Sequence, residues 1–332
     1  MRSIRKTLRG VAVAATLAVV LAACSSQGGA QEEADTGGGG AGGSVDTERY
    51  TIAMITHEQP GDTFWDKIRA GAEDAAQALN VELRYSNNNA APEHATLVQN
   101  AIDSKVAGIA VTLAYPDAVG PAVQAARQAD IPVVAFNSGI EQYEQYGAQM
   151  YFGSDEHLAG KTLGERIASE GGTKAICIVQ EQGHVALETR CDGVREGLPA
   201  TENLNVDGTN LPAVQATIAA KLQEDPSVTH IVALGAPYAL AALQARTDAG
   251  SQAQVTTFDL NADVAQRIEA GEIAFSVDQQ PYVQGWMAVQ SLWMNLTNGN
   301  DIGGGQPVLT GPSFVDSSNI GQILPYAKNN TR

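Results

Sequence analysis

The residues able to do chemistry in this sequence stand just past the ends of short apolar runs. They are His57, Glu58 and Asp62; Tyr115; Asn137 and Ser138; Asp155 and Glu156; Glu181 and His184; Gly235; Asp259 and Asn261; and Asp278, Gln279 and Gln280. Carboxylates, planar amides and imidazoles exchange hydrogen bonds with vicinal hydroxyls, and Arg190 adds a forked donor. Phe64 and Trp65 set two aromatic rings side by side, a platform for the C–H face of a carbohydrate ring. Plainer readings exist for each. Phe64 and Trp65 can be core alone, Arg190 a surface salt bridge, and Asp259 a helix N-cap. His57 with Glu58, or Glu181 with His184, could form the acid–base pair of an enzyme, yet no nucleophile elbow accompanies them. His57 and His184 lack the ligand spacing of a metal site, so neither a metal nor a cofactor is expected.

Elements that must position these groups follow from the hydrophobic pattern. Thr51 to Thr56 is a short apolar run of the kind buried on both faces of a sheet. Pro60-Gly-Asp62 turns the chain. A helix then runs from Phe64 to Leu79, with Phe64, Ile68, Ala72, Ala75, Ala76 and Leu79 on its inner stripe. Strands are predicted over 81–85, 107–113, 131–136, 149–153, 175–179, 230–234, 255–258 and 273–277. Helices are predicted over 92–104, 116–128, 156–168, 188–197, 213–223, 238–249, 263–270 and 283–296, with an irregular tail beyond. Alternating βα units imply an α/β fold with two doubly wound parallel-sheet lobes, helices on both faces and right-handed crossovers. Strand ends of such sheets converge on one edge, and two facing edges make a cleft.

The ends of the chain set the compartment. Arg2, Arg5, Lys6 and Arg9 precede an apolar run from Val11 to Ala22 that is too short to span a bilayer, so residues 1–23 read as a secretion signal. Leu21-Ala-Ala-Cys24 matches a bacterial lipobox, which makes Cys24 the lipidated first residue of the mature chain. Residues 24–48, rich in Gly, Ser, Gln and acids, cannot bury enough apolar surface to fold. They read as a tether of about 25 Å root-mean-square reach. Removing residues 1–23 takes away four basic residues and no acid, so the net charge of −17 becomes −21. So acidic a chain is repelled by phosphate backbones, which excludes nucleic acid as a partner. About 285 residues remain, more than a single core usually serves. The expected lobes are 49–154 with 280–311, and 155–279 with 312–332.

With these pieces in place, the chain resembles the ribose/galactose-type (type I) periplasmic sugar-binding proteins that feed ABC transporters. The likeness runs over most of residues 50–310. It is carried by Asp62-Thr-Phe-Trp65, Asp117-Ala-Val119, Ile131-Pro-Val133 leading to Asn137, Gly153-Ser-Asp155 with Ala159-Gly160, Arg190 with Gly193, Phe258-Asp259, and Asp278-Gln-Gln280. The resemblance implies that Phe64 and Trp65 sandwich a sugar and that Asp62 and Asn137 bind its hydroxyls. Arg190, at a helix start, and Asp259 would hold the hydroxyl pairs near the anomeric end, and Gln279 would reach in from a hinge strand. It further implies a monomeric binding protein that captures a monosaccharide or cyclitol by hinge closure and hands it to a permease. A sensory receptor, or less readily a secreted carbohydrate-active enzyme, are the alternatives.

Departures from the family pattern bear on the ligand. Asn137-Ser138 stands where many pentose binders carry Asp-Arg, and Gly235-Ala236 where they carry Asn. Thr209 to Leu211 replaces an aromatic and an arginine. The pocket is therefore less charged than that of a ribose binder, which leaves hexoses, cyclitols and other polyols open. His57 and His184 replace smaller groups and would complete the hydrogen-bond net. Cys177 and Cys191 can bridge outside the cytoplasm, or remain two buried thiols.

Overall fold

The computed structural model describes residues 45–59 and 61–332. The signal sequence, Cys24 and residues 24–44 of the expected tether lie outside the described residues, as does Pro60. Residues 45–48 are held to the folded part. Val45 N–H bonds the Ala78 carbonyl at 3.1 Å, and the Asn80 amide donates to the Thr47 carbonyl at 2.8 Å.

The first sheet contains β1 (Thr51–Thr56), β2 (Glu82–Asn87), β3 (Gly108–Val111), β4 (Val133–Phe136), β5 (Met150–Ser154) and β11 (Val308–Gly311), in the order β11-β5-β4-β3-β1-β2. The second contains β6 (Ala175–Val179), β7 (Thr201–Asn205), β8 (His230–Ala233), β9 (Gln254–Phe258), β10 (Ile273–Asp278) and β12 (Ser313–Asp316), in the order β12-β10-β9-β8-β6-β7. Strand for strand the two orders are the same, so β1 corresponds to β6 and β4 to β9. The α/β class with two parallel-sheet lobes is as the sequence implies. The exception is β12, which runs antiparallel to β10 at one edge.

Central strands such as β3, β4, β5 and β6 are buried along their whole length. That burial is why they read as continuous runs of Val, Ile, Ala and Phe rather than as alternating patterns. Helices α1 (Phe64–Ala78) and α9 (Pro281–Asn298) pack together beside the first sheet, and α4 (Glu156–Ser169) and α5 (Val185–Gly197) beside the second. Gly160 and Gly193 let α4 and α5 approach at backbone distance. A Cβ at Gly160 would collide with the Arg190 carbonyl, and one at Gly193 with the His157 carbonyl. The seat of α5, and with it Arg190, depends on those two missing side chains.

The chain passes between the sheets three times, after Ser154, after Asp278 and after Gly311. The Thr310 hydroxyl donates to the Gln279 carbonyl at 2.7 Å, and the Gln280 amide donates to the Thr310 carbonyl at 2.7 Å. A side chain at Gly311 would come within 2.9 Å of the Gln279 Cα, so the three crossing segments touch there.

Three sequence expectations need correction. The tail is not irregular: it forms β11, β12 and α10 (Ile320–Lys328). β7 was not anticipated, because Thr-Glu-Asn-Leu-Asn at a sheet edge is mostly solvent-facing and carries no apolar run. Helix α5 begins at Val185 rather than Glu188, which places Arg190 a turn inside the helix instead of at its start.

Candidate functional site

Residues from the carboxyl ends of both sheets meet in one cavity. It is lined by His57, Asp62, Phe64, Trp65, Asn137, Gln180, Glu181, His184, Leu187, Arg190, Leu234, Asp259 and Gln279. All nine ligand-site candidates named from the sequence are in this set: Asp62, Phe64, Trp65, Asn137, Arg190, Asp259, Gln279, His57 and His184. Gln180, Glu181, Leu187 and Leu234 were not among them. The cavity is about 40 Å³, room for a few waters and not for a six-membered ring.

Local backbone geometry aims several of these groups. Asn137, directly after β4, and Asp259, directly after the corresponding β9, both adopt the left-handed conformation, with φ of 64° and 65°. Asn and Asp tolerate that region better than other non-glycine residues, and such strain gathers where a side chain must leave the strand direction. Asp259 is therefore not the N-cap of the next helix. Asn261 is, accepting from Val264 N–H at 2.8 Å. Gln279 Nε2 donates to Asp259 Oδ1 at 2.7 Å, and its Oε1 accepts from Gln284 Nε2 at 3.2 Å. Asn137 Nδ2 donates to Gln284 Oε1 at 3.3 Å. These amides thus form a chain across the hinge.

Arg190 is buried, not a surface residue, and its charge is matched. Its Nε donates to Glu156 Oε2 at 2.5 Å and its Nη2 to Glu156 Oε1 at 3.1 Å. The guanidinium also lies 4.7 Å over the Phe258 ring. Glu156 fixes the fork and leaves Nη1 free for the cavity. The sequence offered Glu156 only as one polar strand-end residue, and nothing local marks it as the partner of a residue 34 positions away.

Phe64 and Trp65 stand at 86° to each other with centroids 5.2 Å apart. Neighbours on a helix point about 100° apart, so the rings form a corner and cannot offer two parallel faces to one sugar. The sandwich implied by the resemblance is replaced by one face and one edge. Both rings also belong to the hydrophobic core of the first lobe, as the plainer reading of the sequence has it.

Three carboxyls, Asp62, Glu181 and Asp259, face one guanidinium, Arg190, in the cavity. Burial pushes the Asp259 carboxyl up to about 7 against the pull of Arg190, and pushes Glu181 up to about 7. Asp62 is raised by burial as well. Burial lowers His57 well below its usual range, with His184 adding to the effect, and takes His184 down to about 3. Lys67, wholly buried in α1, donates to the Thr63 carbonyl at 3.1 Å, and burial lowers its pKa.

His57, Glu181 and His184 place potential ligand atoms within 4.8 Å of one another. Their hydrogen bonds disfavour a metal there. His184 Nδ1 accepts from Ala186 N–H at 3.2 Å, so a neutral His184 carries its proton on Nε2, the atom that would have to coordinate. Metal-binding histidines donate, rather than accept, through the remote nitrogen. Cys177, in the middle of β6, and Cys191, on α5 beside Arg190, form a disulfide with Cα atoms 5.9 Å apart. It ties the helix that carries Arg190 to the sheet behind it.

Two lobes of matching topology, with polar strand ends and aromatic rings converging between them, define a binding protein for a small polar molecule. The chain belongs to the periplasmic binding protein domain family, whose model matches residues 52–301, as the sequence resemblance implied. The "carbohydrate transporter" of Acidothermus cellulolyticus 11B, solved in complex with myo-inositol, is 51% identical over 86% of this chain and all of that one, with a TM-score of 0.85. The ribose import binding protein RbsB of Escherichia coli K12 is 30% identical over 70% of this chain and 79% of its own length. The xylose/arabinose-binding protein XylF of Sulfolobus acidocaldarius is 25% identical over 83% of this chain and 73% of its own. These relatives are solute-binding proteins of sugar transport and not enzymes. No helix among the described residues is long and apolar enough to cross a membrane.

Proposed function

We propose that the protein is an extracytoplasmic solute-binding lipoprotein that captures a cyclic polyol between its lobes and delivers it to an ABC-transporter permease. The ligand is an inositol-like ring, with myo-inositol the first candidate. The observation that carries this reading is the single cavity shared by Asp62, the Phe64–Trp65 corner and Asn137 from one lobe and Arg190 and Asp259 from the other. The myo-inositol complex of the Acidothermus relative supports it. So does the replacement of a charged pair by Asn137-Ser138, since a cyclitol has no anomeric centre to single out.

In this account the ring packs on Trp65 and Phe64, Asn137 and Gln279 exchange hydrogen bonds with one set of hydroxyls, and Arg190 and Asp259 hold the facing set. His57 and His184 complete the net. A ring exceeds the present cavity, so it enters with the lobes apart and is enclosed as they pivot on the three crossing segments, giving a closed population that depends on differential affinity for the two states. The lobes are proposed as residues 49–154 with 280–311, and 155–279 with 312–332. Cys24 carries the lipid, the glycine-rich segment after it gives the binding domain reach, and the protein acts as a monomer.

Isothermal titration with myo-inositol, scyllo-inositol, ribose, xylose and galactose tests the reading. Tight binding of an inositol with return of the ligand chemically unchanged is expected. Absence of binding by every polyol, or conversion of any of them, overturns it.

A further inference from the structure

Four direct bonds already join the lobes at the mouth of the cavity. His57 Nε2 meets His184 Nε2 at 2.7 Å, and Tyr115 donates to Glu181 Oε2 at 3.2 Å. Val185 N–H bonds the Ala114 carbonyl at 3.1 Å, and Tyr238 reaches Gln59 Oε1 at 3.5 Å. The histidine bond differs from the others because every proton in it is fixed by its neighbours. Ala186 N–H occupies His184 Nδ1, so the His184 proton sits on Nε2 and is donated to His57 Nε2. His57 must then carry its own proton on Nδ1, where the Thr112 hydroxyl accepts it at 2.7 Å. A single register of neutral tautomers satisfies the chain from α5 to the end of β3.

A second proton on either ring breaks that register. A protonated His57 turns an N–H toward the N–H of His184. A protonated His184 turns an N–H toward Ala186 N–H, at the cap of α5. We propose that the His57–His184 hydrogen bond is a latch between the two lobes that is made at neutral pH and releases when either imidazole is protonated.

One acid, Glu181, stands within 4.8 Å of the pair, and the other groups facing it supply no counter-charge. Trp65 of α1 stands edge-on to His57 at 4.7 Å between centroids, and His94 of the helix Ala91–Asp103 stacks at 6.4 Å with both ring nitrogens unpartnered. Tyr115, the cap residue before the helix Pro116–Gln128, has its ring centroid 6.5 Å from that of His57 and 6.0 Å from that of His184. Arg190 of α5 repels a positive charge on either histidine. Glu58 is turned away, accepting from Arg69, Tyr85 and Asn87. Glu181 is the nearest acid, and it forms no ion pair with either ring among the described residues.

Closing therefore expels protons from the histidines below their ordinary pKa. For one imidazole near 6.5 when exposed and about 3 when latched, the closed-to-open ratio falls roughly thirty-fold between about pH 7.5 and pH 5. Glu181 and Asp259 act in the opposite sense, since their raised values mean that closing takes up protons. Comparison with histidine variants separates the two effects, because the carboxylates are common to all of them.

The test measures the distance between one spin label on each lobe of the otherwise intact protein, without added polyol, at both pH values. His184→Asn removes the latch and keeps a good helix cap, and His57→Gln removes it from the other lobe. The wild type is expected to be closed at pH 7.5, and its closed-to-open ratio is expected to fall on acidification relative to that of both variants, which carry the same carboxylates. The variants lose that acid response, by at least ten-fold in the ratio, or are open throughout. A wild type with no closed population at pH 7.5, or one whose acid response equals that of both variants, overturns the latch. Neither result depends on which polyol binds, so the latch and the ligand assignment fail separately.

Discussion

Glu156→Gln should damage this protein more than the loss of any other single carboxylate, although Glu156 does not line the cavity. The Arg190 and Glu156 side chains are 5% and 3% exposed, and two of the guanidinium donors end on this carboxylate. Glutamine keeps the volume and one acceptor but removes the charge. That leaves a buried guanidinium whose closest remaining compensation is the pull of Asp259. Breaking one side of such a pair costs about 3–5 kcal/mol, because the other charge stays buried without its partner. At 2–4 °C per kcal/mol for a protein of this size, the melting temperature should fall by on the order of 10 °C. Freed of its clamp, Arg190 can swing toward Asp259 and lose its aim at the ligand, a further loss of about ten-fold in affinity. Chemical denaturation and calorimetric titration of the purified variant read the two effects. A stability loss under about 1 kcal/mol with unchanged affinity would refute the claim that Glu156 positions Arg190.

Other expectations follow from the same geometry. Arg190→Ala and Asp259→Ala should each weaken ligand binding by at least about 1.5–3 kcal/mol while the fold persists, as calorimetry and circular dichroism would report. Because burial raises the Asp259 carboxyl from 3.8 to about 7, its ionised form opposes folding, and that penalty is absent below the lower value, grows up to about pH 7 and is constant above it. Asp259→Asn should therefore raise the melting temperature above neutrality more than below it, even as it weakens binding. Equal shifts at both pH values would contradict the assigned burial. Reducing the Cys177–Cys191 bridge, which spans 14 residues, should cost about 3 kcal/mol on the chain-entropy estimate and weaken binding through the helix that carries Arg190. Gly193→Val should lower affinity without touching the cavity by pushing α5 off α4; unchanged titration curves would show that the seat of α5 does not set Arg190.

How much of this was legible beforehand depends on where the signal lies. Strands buried on both faces announce themselves as runs such as Thr51–Thr56, and the polar residue after each run follows from parallel topology, so Asn137, Asp259 and Gln279 could be placed at one edge. The edge strand β7 and the four-residue strands β11 and β12 could not be read. Their residues are mostly solvent-facing or interrupted by Gly311 and Pro312, and only pairing with distant strands makes them regular. The start of α5 was missed because His184, an uncommon cap, stands where Ser, Thr, Asp or Asn would signal a helix. Glu156 and Glu181 were visible as polar strand-end residues, but their partners, Arg190 and Tyr115, come from other elements. The perpendicular set of Phe64 and Trp65 was implicit in their adjacency on a helix, and the family pattern of a sandwich obscured it.

A structure of the protein with bound myo-inositol tests the central claim most directly. The account predicts the ring against the Phe64–Trp65 corner, with hydroxyls bonded to Asn137 from one lobe and to Arg190 and Asp259 from the other, and His57 and His184 parted or bridged by a ligand hydroxyl. A ring bound by one lobe alone, or held away from those side chains, would contradict it.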